Sequence, residues 1–156
     1  MKKGFTLIEL LVTVVVLGIL TFAIIMSIDP ADRLRDARDV KVKNDVGSIA
    51  NAVEAYQTNN GGSYNGATGL DTGTIVQQKY LKSWPTSNGI DINVTATVAH
   101  AYGVVLSKNN KGSCTDTMYW TYNSTDGKTY KCCLTSAPVA GTTNPASNGS
   151  CTVAST

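Results

Sequence analysis

One apolar segment near the start of the chain constrains what the protein can fold into. Residues 5–28 contain a single ionisable side chain, Glu9, and are otherwise apolar, small or hydroxyl-bearing. As a helix the segment would be about 36 Å long, which is enough to cross the roughly 30 Å hydrocarbon core of a bilayer. It is longer than a signal-peptide core and lacks a following small-residue cleavage site. We therefore expect a membrane-inserted helix, with Lys2 and Lys3 keeping its start in the cytoplasm.

Glu9 is the residue that a simple membrane anchor does not explain. A carboxylate inside an apolar helix costs several kcal/mol unless it is protonated or paired. No Lys, Arg or His lies between Gly4 and Arg33, so we expect its partner to come from outside the segment. Cleavage after Gly4 would supply one, because the new amine on Phe5 of one chain could meet the Glu9 carboxylate of another. Burial of that pair would then favour assembly.

The residues Lys-Lys-Gly-Phe-Thr-Leu-Ile-Glu-Leu-Leu-Val at positions 2–12 closely resemble the class III signal of type IV pilins and type II secretion pseudopilins. The resemblance implies cleavage between Gly4 and Phe5 by a prepilin peptidase, methylation of the Phe5 amine, and a role for Glu9 in setting subunit register. Gly18 falls where many pilins have a helix-weakening glycine. The chain departs from the common pattern at Met26, where many members carry proline; its first proline is Pro30.

The segment after the apolar run is predicted to be an amphipathic helix. Its first part mixes both signs of charge, and Arg35 with Asp39, and Asp39 with Lys43, have helical spacing. These charges indicate either a solvated helix face or an ion-pair belt between subunits. The next part carries an apolar stripe that should pack on the sheet of the head, formed by Val42, Val46, Ile49, Val53 and Tyr56. Asn59 to Gly62 should end the helix.

Strand signals begin at Ile90. Ile90 to Thr95 alternates strictly, and residues 101–106 and 117–122 also favour strands. A turn at residues 124–128 predicts a hairpin between residues 118–123 and 129–134. The predicted fold class is α+β: a long N-terminal helix, hydrophobic in its first half and amphipathic in its second, packed on a small antiparallel sheet of three to five strands.

The four cysteines are all in the last third of the chain, at Cys114, Cys132, Cys133 and Cys151. Their position favours two disulfides in an exported head. A four-thiolate zinc site is the alternative, but it would need C-x-x-C pairs that the sequence does not contain. Cys132 and Cys133 should bond in different directions, because neighbours in a strand point to opposite faces. We expect Cys114–Cys132 and Cys133–Cys151, although sequence cannot choose between the three possible pairings.

The sequence therefore predicts a leader at residues 1–4, a transmembrane and fibre-core helix at 5–28, an amphipathic helix at 29–57, a connection at 58–89, and the sheet with a disulfide-tied tail at 90–156. No enzyme motif, catalytic residue, cofactor or metal site is expected, and the single histidine, His100, is expected to be structural or merely exposed. The net charge is +2, and the sequence contains no basic tract that would indicate nucleic acid as the main partner.

The leading functional hypothesis is a structural pilin that polymerises through its N-terminal helix into a type IV pilus for attachment, motility or DNA uptake. Its partners would be identical subunits in a helical filament, the inner membrane before assembly, the prepilin peptidase and the pilus assembly machinery, with DNA or a host surface as possible targets. It would start as a single-pass membrane protein with its head outside and end in a cell-surface fibre. A type II secretion pseudopilin and a monomeric membrane-anchored binding module are the alternatives.

Overall fold

The computed structural model describes residues 4–27, 29–64, 70–141 and 144–154. It contains two long helices, two short ones and a five-stranded sheet. The helices are α1 Leu7–Ser27, α2 Pro30–Asn59, α3 Thr72–Gln77 and α4 Lys108–Lys111. The strands are β1 Asp91–Val94, β2 Ala99–Val104, β3 Thr117–Asn123, β4 Lys128–Leu134 and β5 Cys151–Val153. This arrangement confirms the predicted α+β class.

The sheet is an antiparallel meander in the order β1-β2-β3-β4-β5. The predicted hairpin is confirmed, with Thr117 opposite Leu134 and Asn123 opposite Lys128. Its turn closes through Gly127, which has a φ of 67° and donates its N–H to the carbonyl of Asn123 over 3.0 Å. Glycine suits this position because it adopts positive φ without a steric penalty.

The helix α2 begins at Pro30, directly after a residue in extended backbone. Asp29 is its N-cap and accepts hydrogen bonds from the N–H groups of Ala31 and Asp32, at 3.1 and 3.2 Å. Pro30 follows in the first turn, where its missing N–H costs nothing. The helix α1, by contrast, runs continuously through Gly18 and Met26. The interruption between the helices therefore lies next to the first proline rather than between Gly18 and Met26.

The core of the head lies between α2 and the sheet. The five residues of the predicted stripe are all at most 2% exposed, which confirms the helical period read from the sequence. They pack with Ala99 and Ala101 of β2 and Tyr122 of β3. The predicted stop is also confirmed: α2 ends at Asn59, and Gly62, at positive φ, donates its N–H to the carbonyl of Gln57 over 2.9 Å.

The face of the sheet that points away from α2 is covered by the chain between β4 and β5. We call the described residues of this segment, 135–141 and 144–150, the strap. Its Ala140 donates an N–H to the side-chain oxygen of Asn93 on β1 over 2.9 Å, and β5 then pairs with β4. Pro138, Ala140 and Pro145 of the strap are buried. Polar residues of the covered face are buried as well, including Thr121 and Asn123 at no more than 1% exposure.

Three elements were not predicted. The helix α3 lies inside the expected connection and buries Ile75; α4 follows β2; and β5 is a three-residue strand in the expected tail. All are shorter than the windows over which a hydrophobic period can be recognised. Lys2 and Lys3 of the predicted leader lie outside the described residues, as do Ile28 at the end of the predicted membrane segment, residues 65–69 of the connection and the last two residues of the tail.

Candidate processing and assembly site

Among the residues that the structure describes, α1 buries none of its side chains against the head. Each of its 21 residues is exposed, and its large apolar side chains range from Val16 at 49% to Leu7 at 83% exposure. At 1.5 Å per residue it is about 31 Å long. The helix is therefore long and apolar enough to cross a membrane, by length and composition alone. So large an exposed apolar surface requires lipid or another protein to cover it.

Glu9 has a local partner that the sequence reasoning missed. Its Oε2 accepts hydrogen bonds from the backbone N–H of Thr6 at 2.8 Å and from the Thr6 hydroxyl at 2.7 Å. The Glu9 N–H in turn donates to the Thr6 hydroxyl oxygen over 3.3 Å. This reciprocal arrangement is a capping box, in which a threonine and a glutamate three residues later satisfy the free N–H groups at a helix start.

The expected pairing of Glu9 with a Phe5 amine of another chain stays a prediction, but the capping box shows that hydrogen-bond donors for the carboxylate also lie inside the segment. The signal was in the sequence, because Thr6-Leu7-Ile8-Glu9 has the T-x-x-E spacing. Thr6 satisfies the carboxylate with neutral donors only. The negative charge of Glu9 has no counter-charge on the segment, since the sequence from Gly4 to Ser27 contains no Lys, Arg or His.

Gly4 and Phe5 precede the first helical residue, Leu7. Both are exposed, Phe5 at 86%, and no heavy atom lies within 4 Å of the position that a Cβ on Gly4 would occupy. The peptide bond between them therefore lies in non-helical backbone, in front of the capping box.

Residues 1–25 match the family model for the prokaryotic N-terminal methylation motif. The chain carries this methylation motif. It is the class III signal of type IV pilins and pseudopilins, and it implies processing by a prepilin peptidase and assembly into a pilus-like filament. The methylation motif covers the predicted leader, the capping box and most of α1, and it ends well before the head. No curated protein and no solved structure gives a significant match to the chain.

Beyond the methylation motif, three carboxylates on one face of α2 hold the loop that precedes α4. Asp39 accepts the N–H groups of Leu106 and Ser107, at 2.8 and 2.9 Å, and Asp32 accepts the N–H of Lys108 at 2.9 Å. Asp36 accepts hydrogen bonds from the Ser107 hydroxyl and, at 3.1 Å, from the Asn109 side chain. We call Asp32, Asp36 and Asp39 the carboxylate clamp.

The carboxylate clamp satisfies N–H groups at the start of α4, which have no partner within that short helix. Asp32 and Asp39 are 5% and 1% exposed and belong to the interior of the head, whereas the side chain of Asp36 is 26% exposed at its edge. The Ser107 hydroxyl, and after it Asn109, lower the pKa of Asp36 below its usual value. The clamp joins the first turns of α2 to the far end of β2.

The carboxylate clamp also corrects the predicted ion pairs. Arg35 was expected to pair with Asp39, but its guanidinium lies 3.8 Å from Asp32, and Asp39 instead binds backbone N–H groups. Lys43, the other expected partner of Asp39, has its ammonium 5.4 Å from the ring centre of Trp120. The interpretation of this stretch as a solvated face was therefore wrong for the carboxylates, because they bind the head.

Both disulfides form, but the expected pairing was wrong. The structure joins Cys114 to Cys133 and Cys132 to Cys151. The register explains the second bond, since Cys132 on β4 lies directly opposite Cys151 on β5. The N–H of Cys133 donates to the carbonyl of Ser150, so the Cys132–Cys151 pair is a non-hydrogen-bonded one, in which side chains approach most closely.

The vicinal cysteines do point to opposite faces, as predicted. Cys132 is fully buried on the face that the strap covers, whereas Cys133 reaches Cys114 on the face towards α2. Because all four sulfurs are in disulfides, the four-thiolate zinc alternative is excluded. His100 is 1% exposed, with Nδ1 3.3 Å from the carbonyl oxygen of Tyr122, so it is part of the packed head.

Proposed function

We propose that the chain is a structural pilin, whose subunits polymerise through α1 into an extracellular type IV pilus. The observation that carries the proposal is that α1 bears the methylation motif and leaves every one of its residues exposed. Lipid can cover such a helix while the subunit is a monomer, and the same helix of neighbouring subunits can cover it in a fibre. Attachment, motility and DNA uptake are the uses that we propose for such a fibre.

In this proposal the leader is removed by cleavage between Gly4 and Phe5, and the new amine on Phe5 is methylated. The capping box remains after cleavage, because Thr6 and Glu9 both belong to the mature chain. Glu9 is then held at the start of α1 with an uncompensated negative charge. The positively charged Phe5 amine of a neighbouring subunit supplies the missing counter-charge when α1 helices pack together.

A type II secretion pseudopilin is the second candidate. Residues 1–25 favour it as much as a pilin, because both families use the same signal. The disulfide-tied strap favours the pilus, since disulfides protect a domain that works outside the cell. Shearing of intact cells separates the two candidates: a pilin is recovered in fibres from the medium, whereas a pseudopilin stays with the cell envelope.

The experiment that tests the proposal compares four versions of the chain in cells that assemble it: the parent, Glu9→Ala, Glu9→Gln and Thr13→Ala. Thr13 is the matched control, because it is also a polar residue in α1 but its hydroxyl donates to the carbonyl of Leu10, at 2.8 Å, within the same helix. We measure the membrane-inserted subunit against subunit in sheared fibres. Mass spectrometry of the fibre subunit should give a chain that begins at Phe5.

We expect the parent and Thr13→Ala to assemble equally, Glu9→Ala to insert but not assemble, and Glu9→Gln to lie between them. Insertion should be easier for Glu9→Ala than for the parent, since a charge in the apolar segment has been removed. Normal fibre yield from Glu9→Ala would refute the charge-pairing argument. An intact Met1 in assembled fibres would refute processing at Gly4.

A further inference from the structure

All three arginines of the chain lie within six residues of each other, at Arg33, Arg35 and Arg38. Every other basic residue apart from His100 is a lysine. Arginine presents a planar fork of N–H donors that fits the oxygens of a phosphate, which a lysine ammonium cannot match. The concentration of arginine in one segment therefore suggests a specific anionic ligand rather than general solubility.

In this segment the acidic side chains of the carboxylate clamp point towards the head, whereas the arginines point outward. Asp32, Asp36 and Asp39 turn towards the segment that ends β2 and begins α4, and their oxygens accept hydrogen bonds from the loop before α4 and from its first residue. The guanidiniums of Arg33 and Arg35 reach the carboxylates only at 4.0 and 3.8 Å, and the side chain of Arg33 stays 72% exposed. Residues 32–41 have an almost balanced charge in sequence, but their outward surface is basic because the carboxylates turn inward. We call this surface of α2, which contains the exposed Arg33, Arg38 and Lys41, the basic face.

The basic face also contains exposed apolar residues. Leu34 is 64% exposed between the arginines, and Val40 is 58% exposed next to the exposed Lys41. Cations interleaved with exposed aliphatic residues are typical of helices that lie against a membrane surface.

The position of the basic face in the chain indicates what it binds. Arg33 comes six residues after Ser27, where α1 ends. Since α1 matches the thickness of the hydrocarbon core, the residues that follow it enter the phosphate-bearing headgroup layer. We propose that Arg33 and Arg38, supported by Arg35 and Lys41, bind the headgroup phosphates of anionic phospholipids. This binding occurs before assembly, while the subunit is inserted in the membrane. The proposal rests on the membrane insertion in the proposed function.

This interaction would offset a cost that the proposed orientation otherwise carries. With the head outside, the exported side has five basic residues soon after α1, namely Arg33, Arg35, Arg38, Lys41 and Lys43, against Lys2 and Lys3 on the cytoplasmic side. Basic residues near a membrane helix normally favour the cytoplasmic side. Binding to anionic headgroups gives these cations a function on the side to which they are exported.

The test exploits the placement of the arginines. Isotope labelling of arginine in the full chain reports on these three guanidiniums alone. The labelled chain is reconstituted, in a phosphate-free buffer, into phosphatidylcholine vesicles with and without phosphatidylglycerol. Retention after alkaline washing first establishes insertion. Solid-state NMR then measures the loss of guanidinium signal caused by nearby lipid ³¹P nuclei.

We expect a greater loss of guanidinium signal with phosphatidylglycerol present, and its reduction by high salt. Equal signal loss in both kinds of vesicle would overturn the proposed binding to anionic headgroups, because phosphatidylcholine also carries a phosphate. No signal loss in either would overturn the lipid contact itself, and both results would leave membrane insertion intact. A chain that washes out of the vesicles would overturn the insertion and this inference together. Contacts from guanidinium to labelled carboxylate carbons of another copy, without ³¹P contact, would assign the basic face to subunit packing and overturn the lipid proposal.

A matched pair of variants gives a second measurement. Arg33→Gln with Arg38→Gln removes two cations from the basic face, and Lys79→Gln with Lys82→Gln removes two from the loop after α3. We measure the phosphatidylglycerol enrichment of lipid that co-purifies with each chain. The arginine variant should lose enrichment by up to about fivefold for each residue replaced, while the lysine variant should match the parent. Equal enrichment in both variants would contradict the proposal.

Discussion

At the scale of single residues, Asp39 and Glu9 illustrate how a carboxylate can be stabilised by backbone donors instead of a cation. Asp39 binds two N–H groups of a loop that is far from it in sequence, and Glu9 binds one within its own helix start. Charge-assisted hydrogen bonds of this kind are stronger than neutral ones. Neither set of hydrogen bonds is visible from charge pairing along the sequence. For that reason Asp39 was assigned there to ion pairs, and the donors to Glu9 were missed.

The first prediction concerns Asp39. Its replacement by alanine leaves the N–H groups of Leu106 and of the fully buried Ser107 without their acceptor, so Asp39→Ala should lower the free energy of unfolding of the head by about 3 kcal/mol. Asp116→Ala is the control, because Asp116 is exposed and its loss should change stability by less than about 0.5 kcal/mol. Urea unfolding of the detergent-solubilised chain, followed by tryptophan fluorescence, gives both values. Equal stability of the two variants would contradict the clamp.

The second prediction concerns alkaline pH. The hydroxyls of Tyr64 and Tyr122 both donate to Oε1 of Glu54, each over 2.9 Å. Burial, and after it the Glu54 carboxylate, raises the pKa of Tyr64 to about 12, and the same two causes raise the pKa of Tyr122. In the unfolded chain a tyrosine ionises near about pH 10.

Because the folded state holds these phenol protons more tightly, their contribution to stability is complete below about pH 10 and is lost as pH rises through the folded pKa values. The free energy of unfolding should therefore fall between about pH 10 and about pH 12, and fall less steeply in Tyr64→Phe. Urea titrations at a series of alkaline pH values measure the slope. If the free energy of unfolding of the parent protein did not change with pH in this range, the phenols would have the same pKa in the folded and unfolded states.

At the scale of elements, the amphipathic helix α2 was the most predictable part of the fold, because Val42, Val46 and Ile49 repeat with the helical period and all become buried. The sheet it covers has a matching feature. A Cβ added to Gly103 of β2 would lie 2.5 Å from Cγ1 of Val42 and 2.9 Å from Cδ1 of Ile90. Glycine therefore allows the close approach of α2 to the sheet.

The third prediction follows from this contact and uses two glycines with opposite expected effects. Gly103→Ala should destabilise the head by about 1–3 kcal/mol, because the packed core cannot accept the extra methyl group. Gly47→Ala should stabilise it by about 0.5–1 kcal/mol, because Gly47 is inside α2 with no atom within 4 Å of its Cβ position. Thermal or urea unfolding decides the signs. A neutral Gly103→Ala would mean that α2 and β2 are not in close contact.

At the scale of the whole molecule, the disulfides mark the limit of sequence-based prediction. Alternation along a strand correctly placed Cys132 and Cys133 on opposite faces of the sheet, but it did not show which of them pairs with Cys151 on β5. That depends on the path of the strap, whose buried Pro138 and Pro145 carry no periodic signal. The strand β5 itself consists of Cys151-Thr152-Val153, which is too short to recognise. The apolar segment and the α2 stripe were recognisable because each is long and regular.

The fourth prediction distinguishes the roles of the two disulfides. Both join cysteines separated by 19 positions, so removal of either pair should cost about 3 kcal/mol in the chain-entropy account. Only Cys132→Ala with Cys151→Ala should also free β5, because the other pair does not touch that strand. Hydrogen exchange of residues 151–154 should accelerate in this variant and stay slow in Cys114→Ala with Cys133→Ala. The same acceleration in both variants would contradict the assigned pairing.

The use of two successive residues of β4 for both disulfides has a topological consequence. One ring closes from Cys114 to Cys133 and the other from Cys132 to Cys151, so the rings overlap by the single peptide bond between the vicinal cysteines. Any single proteolytic cut between Cys114 and Cys151 therefore leaves one covalently connected molecule. A nicked head would keep its mass apart from one added water, and no fragment would dissociate until a reductant reached it. In a polymer exposed to proteases, such a subunit can be damaged in its strap without breaking the chain of contacts along the fibre.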